Sequence, residues 1–138
     1  MVEVLVTSQP EQYKQEIKAG SYTLLADAAA SVGGGETGPD PHELLLGALG
    51  ACTSMTIQMF ARRRGWDLQQ VTVKLMEDKV DDPNEPGRQL SRITRNVEVK
   101  GELTPEQIDA LKVAADKCLI HKLITGPKQV ETTVKSAG

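Results

Sequence analysis

The sequence is poor in the groups that most catalytic motifs demand. It carries only two histidines, His42 and His121, and two cysteines, Cys52 and Cys118. No serine stands in a G-x-S-x-G turn, which excludes the nucleophile elbow of an α/β-hydrolase. Gly33, Gly34 and Gly35 lack the lysine of a phosphate-binding loop and read as a mobile turn. A basic excess is missing too. The formal net charge is -3 and the sequence pI near 5.4, which argues against a nucleic-acid partner. The one tight basic run, Arg62, Arg63 and Arg64, suits the C-terminal end of a helix. Residues 1–7 show neither a basic segment nor an apolar core of a leader, so the expectation is a cytoplasmic location. In a reducing compartment a cysteine pair is more often catalytic, redox-sensing or metal-binding than a structural disulfide.

What is present fits one ordinary domain. At 138 residues, with 39% apolar and 25% charged side chains, the chain can bury a real core. Residues 44–61 form an 18-residue stretch without charge, long enough to raise the question of a membrane span. Gly47, Gly50, Thr53, Ser54, Thr56 and Gln58 interrupt it, and no second span follows. A core helix, and no membrane, is the better expectation.

Residues 2–7 alternate as a strand, and residues 13–18 and 22–26 flank a hairpin turn, which predicts an antiparallel meander. A loop rich in glycine and proline covers residues 31–41. A helix is expected over residues 41–64, with Asp40 as its cap, Pro41 in the first turn and Gly65 as its stop. Its apolar residues lie on nearly every face, so it should be enclosed on most sides, with a partner subunit supplying part of the cover. Residues 71–80 and 90–100 predict a second antiparallel hairpin. Thr104, Pro105 and Gln107 form a capping box for a second helix, whose buried face reads Ile108, Leu111, Ala115 and Cys118. Residues 129–135 look like a last strand. The class is α+β, with antiparallel sheet around two helices.

Two cysteines and two histidines could in principle hold zinc. His42 and Cys52 on one helix would lie about 15 Å apart along its axis, whereas zinc ligands sit about 2.0–2.3 Å from a common metal. Cys118 and His121 alone are half a site, so no metal is expected. Taken singly, either cysteine reads more readily as a small core residue than as a reactive thiol. As a pair on the two long helices they could approach each other, and then redox chemistry opens. That chemistry requires a thiolate. The field of the first helix's own N-terminus fades within one turn, and Arg62 is about 15 Å away. The activating charge must come from another segment or another chain.

The run from Gly33, Gly34 and Gly35 through Gly38, Pro39, Asp40 and Pro41 leads into Glu43, Leu44, Leu45 and Leu46. It continues to Gly50, Ala51, Cys52, Thr53 and Ser54, and closely resembles the signature of the OsmC/Ohr family. Cys118, Leu119, Ile120, His121 and Lys122 resemble its second motif, and the separation of the two fits over nearly the whole chain. The resemblance implies an OsmC-like fold and an intertwined homodimer with active sites at the subunit interface. It also implies a thiol peroxidase acting on organic hydroperoxides without metal or organic cofactor. On that analogy Cys52 attacks the peroxide, Cys118 resolves the sulfenic acid as a disulfide, and a thiol or dithiol reductant restores the pair.

Two departures stand out. The peroxidases hold their thiolate with an arginine from the N-terminal sheet, and this chain has no arginine before Arg62. Lys14 or Lys18 would have to substitute, without the bidentate fork. The family's glutamate position is taken by His42, with Glu43 beside it. Glu43 reads either as a site residue or as a helix N-terminal charge, and His121 either as a group polarising a sulfur or as a structural histidine. The alternative function is a non-catalytic OsmC-like domain that binds an apolar ligand at the dimer interface.

Overall fold

The computed structural model describes all 138 residues. It contains two compact units, Met1–Gly47 and Ala48–Gly138, whose boundary falls inside the long helix.

The first unit opens with an antiparallel meander of β1 (Leu5–Ser8), β2 (Gln15–Ala19) and β3 (Tyr22–Ala26), as the alternation predicts. Leu5 pairs with Lys18, and Ile17 with Leu24. The glycine-rich loop behind β3 is not the loose turn its composition suggests. The buried Asp27 carboxylate accepts from the Ala28 amide at 2.7 Å, the Thr37 hydroxyl at 2.6 Å, the Thr37 amide at 3.1 Å and the Gly35 amide at 3.4 Å. Those donors, led by the Thr37 hydroxyl, bring its pKa down to about 2. Helix α1 (Pro41–Arg63) starts in this unit. Asp40 and Glu43 close a reciprocal cap there, with Glu43 N–H donating to Asp40 Oδ1 at 2.8 Å and Asp40 N–H to Glu43 Oε1 at 3.0 Å.

The second unit sets the rest of α1 with a long antiparallel hairpin, β4 (Asp67–Asp81) and β5 (Gln89–Glu102), and with α2 (Pro105–Ala115) and α3 (Leu119–Thr125). Val71, Val73 and Leu75 alternate as the half-buried face of β4. The capping box of α2 is formed as its sequence predicts. The core gathers Ile57, Ala61, Leu111 and Ala115, with Phe60, Trp66, Leu68, Val71, Val99 and Leu103 against it. Leu49, Gly50, Thr53, Ile57 and Ala61 are the buried stripe of α1. Gly50 permits a close approach of α1 to β4, because a Cβ there would come within 2.7 Å of Leu75 Cδ1.

One chain alone does not enclose α1, as expected of a single small domain: Met55 and Met59 stay more than half exposed. Two expectations change. The expected last strand is absent, and residues 127–138 run without strand partners. Cys118 is not on the second helix. α2 ends at Ala115, and Cys118 turns out of helical geometry (φ -56°, ψ 132°) to become the N-cap of a third, short helix.

Candidate functional site

α1 carries Cys52 on the flank of its buried stripe, half-exposed, beside buried Thr53 and half-buried Thr56. Thr53 donates to the Leu49 carbonyl at 2.7 Å and Thr56 to the Cys52 carbonyl at 2.7 Å, so both hydroxyls are tied to the helix. Cys118 is fully buried, and its sulfur accepts the His121 N–H at 3.5 Å in place of a hydroxyl cap. Both cysteines are free thiols, and the Cys118 side chain hydrogen-bonds Cys52. The pair that sequence could only set on two helices is thus brought together inside one unit.

What lowers the Cys52 thiol is hydrogen bonding, mostly from another segment, and not the charge that the sequence called for. Burial pushes the Cys52 thiol up. The Cys118 side chain, the Ile120 amide, the Thr56 hydroxyl and the Leu119 amide outweigh it and hold the thiol below its ordinary value. One hydroxyl proton cannot serve two acceptors, so Thr56 can help the sulfur only by leaving its bond to the Cys52 carbonyl. The two amides face no such competition. They belong to the opening turn of α3, where backbone N–H groups have no partner within the helix. The break at Cys118 is what frees them.

Arg95, on β5, is the site residue that sequence reasoning missed. Its side chain is only 13% exposed. Nη1 donates to Thr53 Oγ1 at 3.0 Å, beside Cys52. Nη2 donates to Asp116 Oδ1 at 2.8 Å and lies 3.3 Å from His121 Nδ1. A guanidinium can only donate, so in a hydrogen bond between them Nδ1 is the acceptor. A signal existed: Arg95 falls at the alternate positions Ile93, Val97 and Val99 of β5, where an apolar residue is the rule.

The remaining predicted residues lie in the first unit. Glu43 is engaged in the cap with Asp40, the arrangement expected of a helix N-terminal charge. His42 sits in the exposed first turn of α1. Lys18 pairs with Glu16 at 3.6 Å, and the Lys14 backbone closes the turn before β2 through Glu11 and Gln9. No group of three or more His, Cys, Asp or Glu side chains is arranged to hold a metal ion. Next to the thiol site, a cavity of about 410 Å³ is walled by apolar Ile57, Val97, Val99, Ile108 and Leu111, with Arg95, Lys112 and Asp116 also lining it.

Residues 33–133 match the family described as OsmC-like protein. No curated protein matches the chain. In three dimensions the chain is similar to an OsmC-like protein from Mycoplasma pneumoniae, with TM-score 0.74, 15% identity, and 91% of this chain and 88% of that one covered. It is similar to an organic hydroperoxide resistance protein OsmC from Legionella pneumophila, with TM-score 0.66, 16% identity, and coverage of 91% and 90%. The organic hydroperoxide resistance protein OhrB of Bacillus subtilis superposes with TM-score 0.62, 20% identity, and 91% coverage of both chains. At such identities the likeness speaks for the fold.

Proposed function

The chain belongs to the OsmC-like protein family, and on that premise we propose that it reduces organic hydroperoxides with Cys52 and Cys118 as its redox pair. The observation that carries this reading is the contact of two reduced thiols of unequal exposure, with the half-exposed one held below its ordinary pKa. In the first step the Cys52 thiolate attacks one peroxide oxygen. The S–O bond forms as the O–O bond breaks, and the alcohol leaves after taking a proton from water. Cys118 then attacks the sulfenic sulfur, forming the disulfide and releasing water. A thiol or dithiol reductant returns two electrons and two protons by exchange. The names of the Legionella and Bacillus neighbours, both hydroperoxide resistance proteins, point to the same chemistry.

The reading extends to assembly and place. Ala48, Ala51, Met55 and Met59 leave an exposed apolar stripe along α1, and a second copy of the chain in a homodimer would cover it. Two unpaired thiols suit a reducing, cytoplasmic compartment.

The test is turnover of cumene hydroperoxide by purified protein with dithiothreitol as reductant. Consumption that disappears in Cys52→Ser supports the reading, and consumption no faster than dithiothreitol alone ends it. One observation favours a second reading: the largely apolar cavity beside the site could hold an apolar ligand without turnover. Saturable binding of an apolar fluorophore, together with no peroxide consumption, would support that reading instead.

A further inference from the structure

One guanidinium touches every segment that positions the two sulfurs. Through Nη1, Arg95 holds Thr53, the neighbour of Cys52 on α1. Through Nη2 it holds Asp116, the C-cap of α2 two residues before Cys118, and His121, three residues after it. The turn from Asp116 to His121 is therefore pinned at both ends to the same planar group, and that group is pinned to the cysteine helix. The groups that lower the Cys52 thiol are the Cys118 side chain, the Ile120 and Leu119 amides and Thr56. Arg95 acts on the elements that carry these groups.

We propose that Arg95 is a positioning residue that clamps the Cys118 turn onto the Cys52 helix and thereby governs closure of the disulfide rather than the attack of an ionised Cys52. The proposal rests on Cys52 and Cys118 acting as the redox pair. Disulfide geometry tolerates little error, with Cα atoms about 4.4–6.8 Å apart and a narrow dihedral range. Besides the clamp, the seven-residue α3 and the turn before it are held by the Cys118 cap, neighbouring backbone bonds and the contacts of Cys118, Leu119 and Ile120 with Cys52. Lysine cannot replace the arginine, because one ammonium lacks the flat fork that reaches Thr53 on one side and Asp116 and His121 on the other.

Ellman's reagent separates the two steps without any peroxide. Half-exposed Cys52 attacks it first, releasing one thionitrobenzoate and leaving a mixed disulfide. Cys118 then loses its proton, its sulfur bonds to the Cys52 sulfur, and the second thionitrobenzoate departs with the bonding pair. In stopped flow at about pH 10, above the ordinary thiol value of about 8.5, Cys52 is ionised with or without its neighbours, and Arg95→Met should there leave the first phase within about twofold of the unaltered protein and slow the second at least tenfold. Arg95→Lys should not restore the second phase. The single-arm variants Thr53→Val and Asp116→Asn should each slow it at least threefold with the first phase intact, and these decide the matter if Arg95→Met does not fold. A second phase unchanged in the variants, both phases slowed alike, or full rescue by lysine would each overturn the clamp. Failure of the peroxidase reading looks different, since cumene hydroperoxide would then go unconsumed while the two Ellman phases still respond to Arg95.

Discussion

Cys52 owes its low pKa to groups 66–68 residues away in sequence, on the turn that begins with Cys118. Because the pKa is lowered, the thiolate should persist as pH falls below the range of an ordinary cysteine. The rate of iodoacetamide alkylation at Cys52 should then have its pH midpoint below that of a free thiol. Cys118→Ala removes the partner that contributes most to the lowering and should move the midpoint up. A midpoint at or above the ordinary value would show that burial wins. Both cysteines were visible in sequence because each sat in a motif. Arg95 was not, because an arginine in a strand reads as solvent-facing until its register is known. Its alternation with Ile93, Val97 and Val99 is the one hint in the sequence, and its pairing with Leu75 and contact with Thr53 establish it as an inward charge.

At the scale of elements, local signals were followed wherever a partner lay nearby. The meander, the second hairpin, the caps of α1 and α2 and the extent of the long helix all stand close to where periodicity and capping residues put them. The stripe Ile108, Leu111, Ala115 and Cys118 read as one helix because helical spacing continues through it. The chain leaves the helix after Ala115 without glycine or proline, since Asp116 is held by Arg95 and the Cys118 sulfur caps His121. Such tertiary contacts override propensity. Residues 129–135 alternate like a strand, but alternation supplies no hydrogen-bonding edge, and Val130 and Val134 remain 86% and 92% exposed.

Two element-scale outcomes follow from local geometry. Gly101 sits at φ +147° against the Asp67 carbonyl, where the β4–β5 ladder slips by one residue. Gly101→Ala adds both strain and overlap and should cost about 3 kcal/mol in urea unfolding. Asp27 holds the loop through a carboxylate whose pKa is lowered from 3.8 to about 2. A depressed pKa means the stabilisation is complete above the unfolded value and fades as pH drops from there through about 2. Hydrogen exchange at the Gly35 and Thr37 amides should therefore accelerate over that acid range. In Asp27→Asn it should be fast already at neutral pH.

For the whole molecule, family membership settles the fold and leaves assembly and chemistry to experiment. If a second copy covers the outer stripe of α1, sedimentation should give a dimer, and Met55→Asp with Met59→Asp should give a monomer. Species of equal mass with and without those changes would remove the stripe as an interface. The central claim is that Cys52 and Cys118 form a disulfide when a hydroperoxide oxidises the protein. The most direct measurement mixes reduced protein with one equivalent of cumene hydroperoxide and follows free thiols alongside intact mass. The account predicts rapid loss of both thiols, with a mass lower by two hydrogens, and no disulfide in Cys52→Ser. Thiol loss no faster than that of free cysteine, or oxygen added without a disulfide, would contradict it.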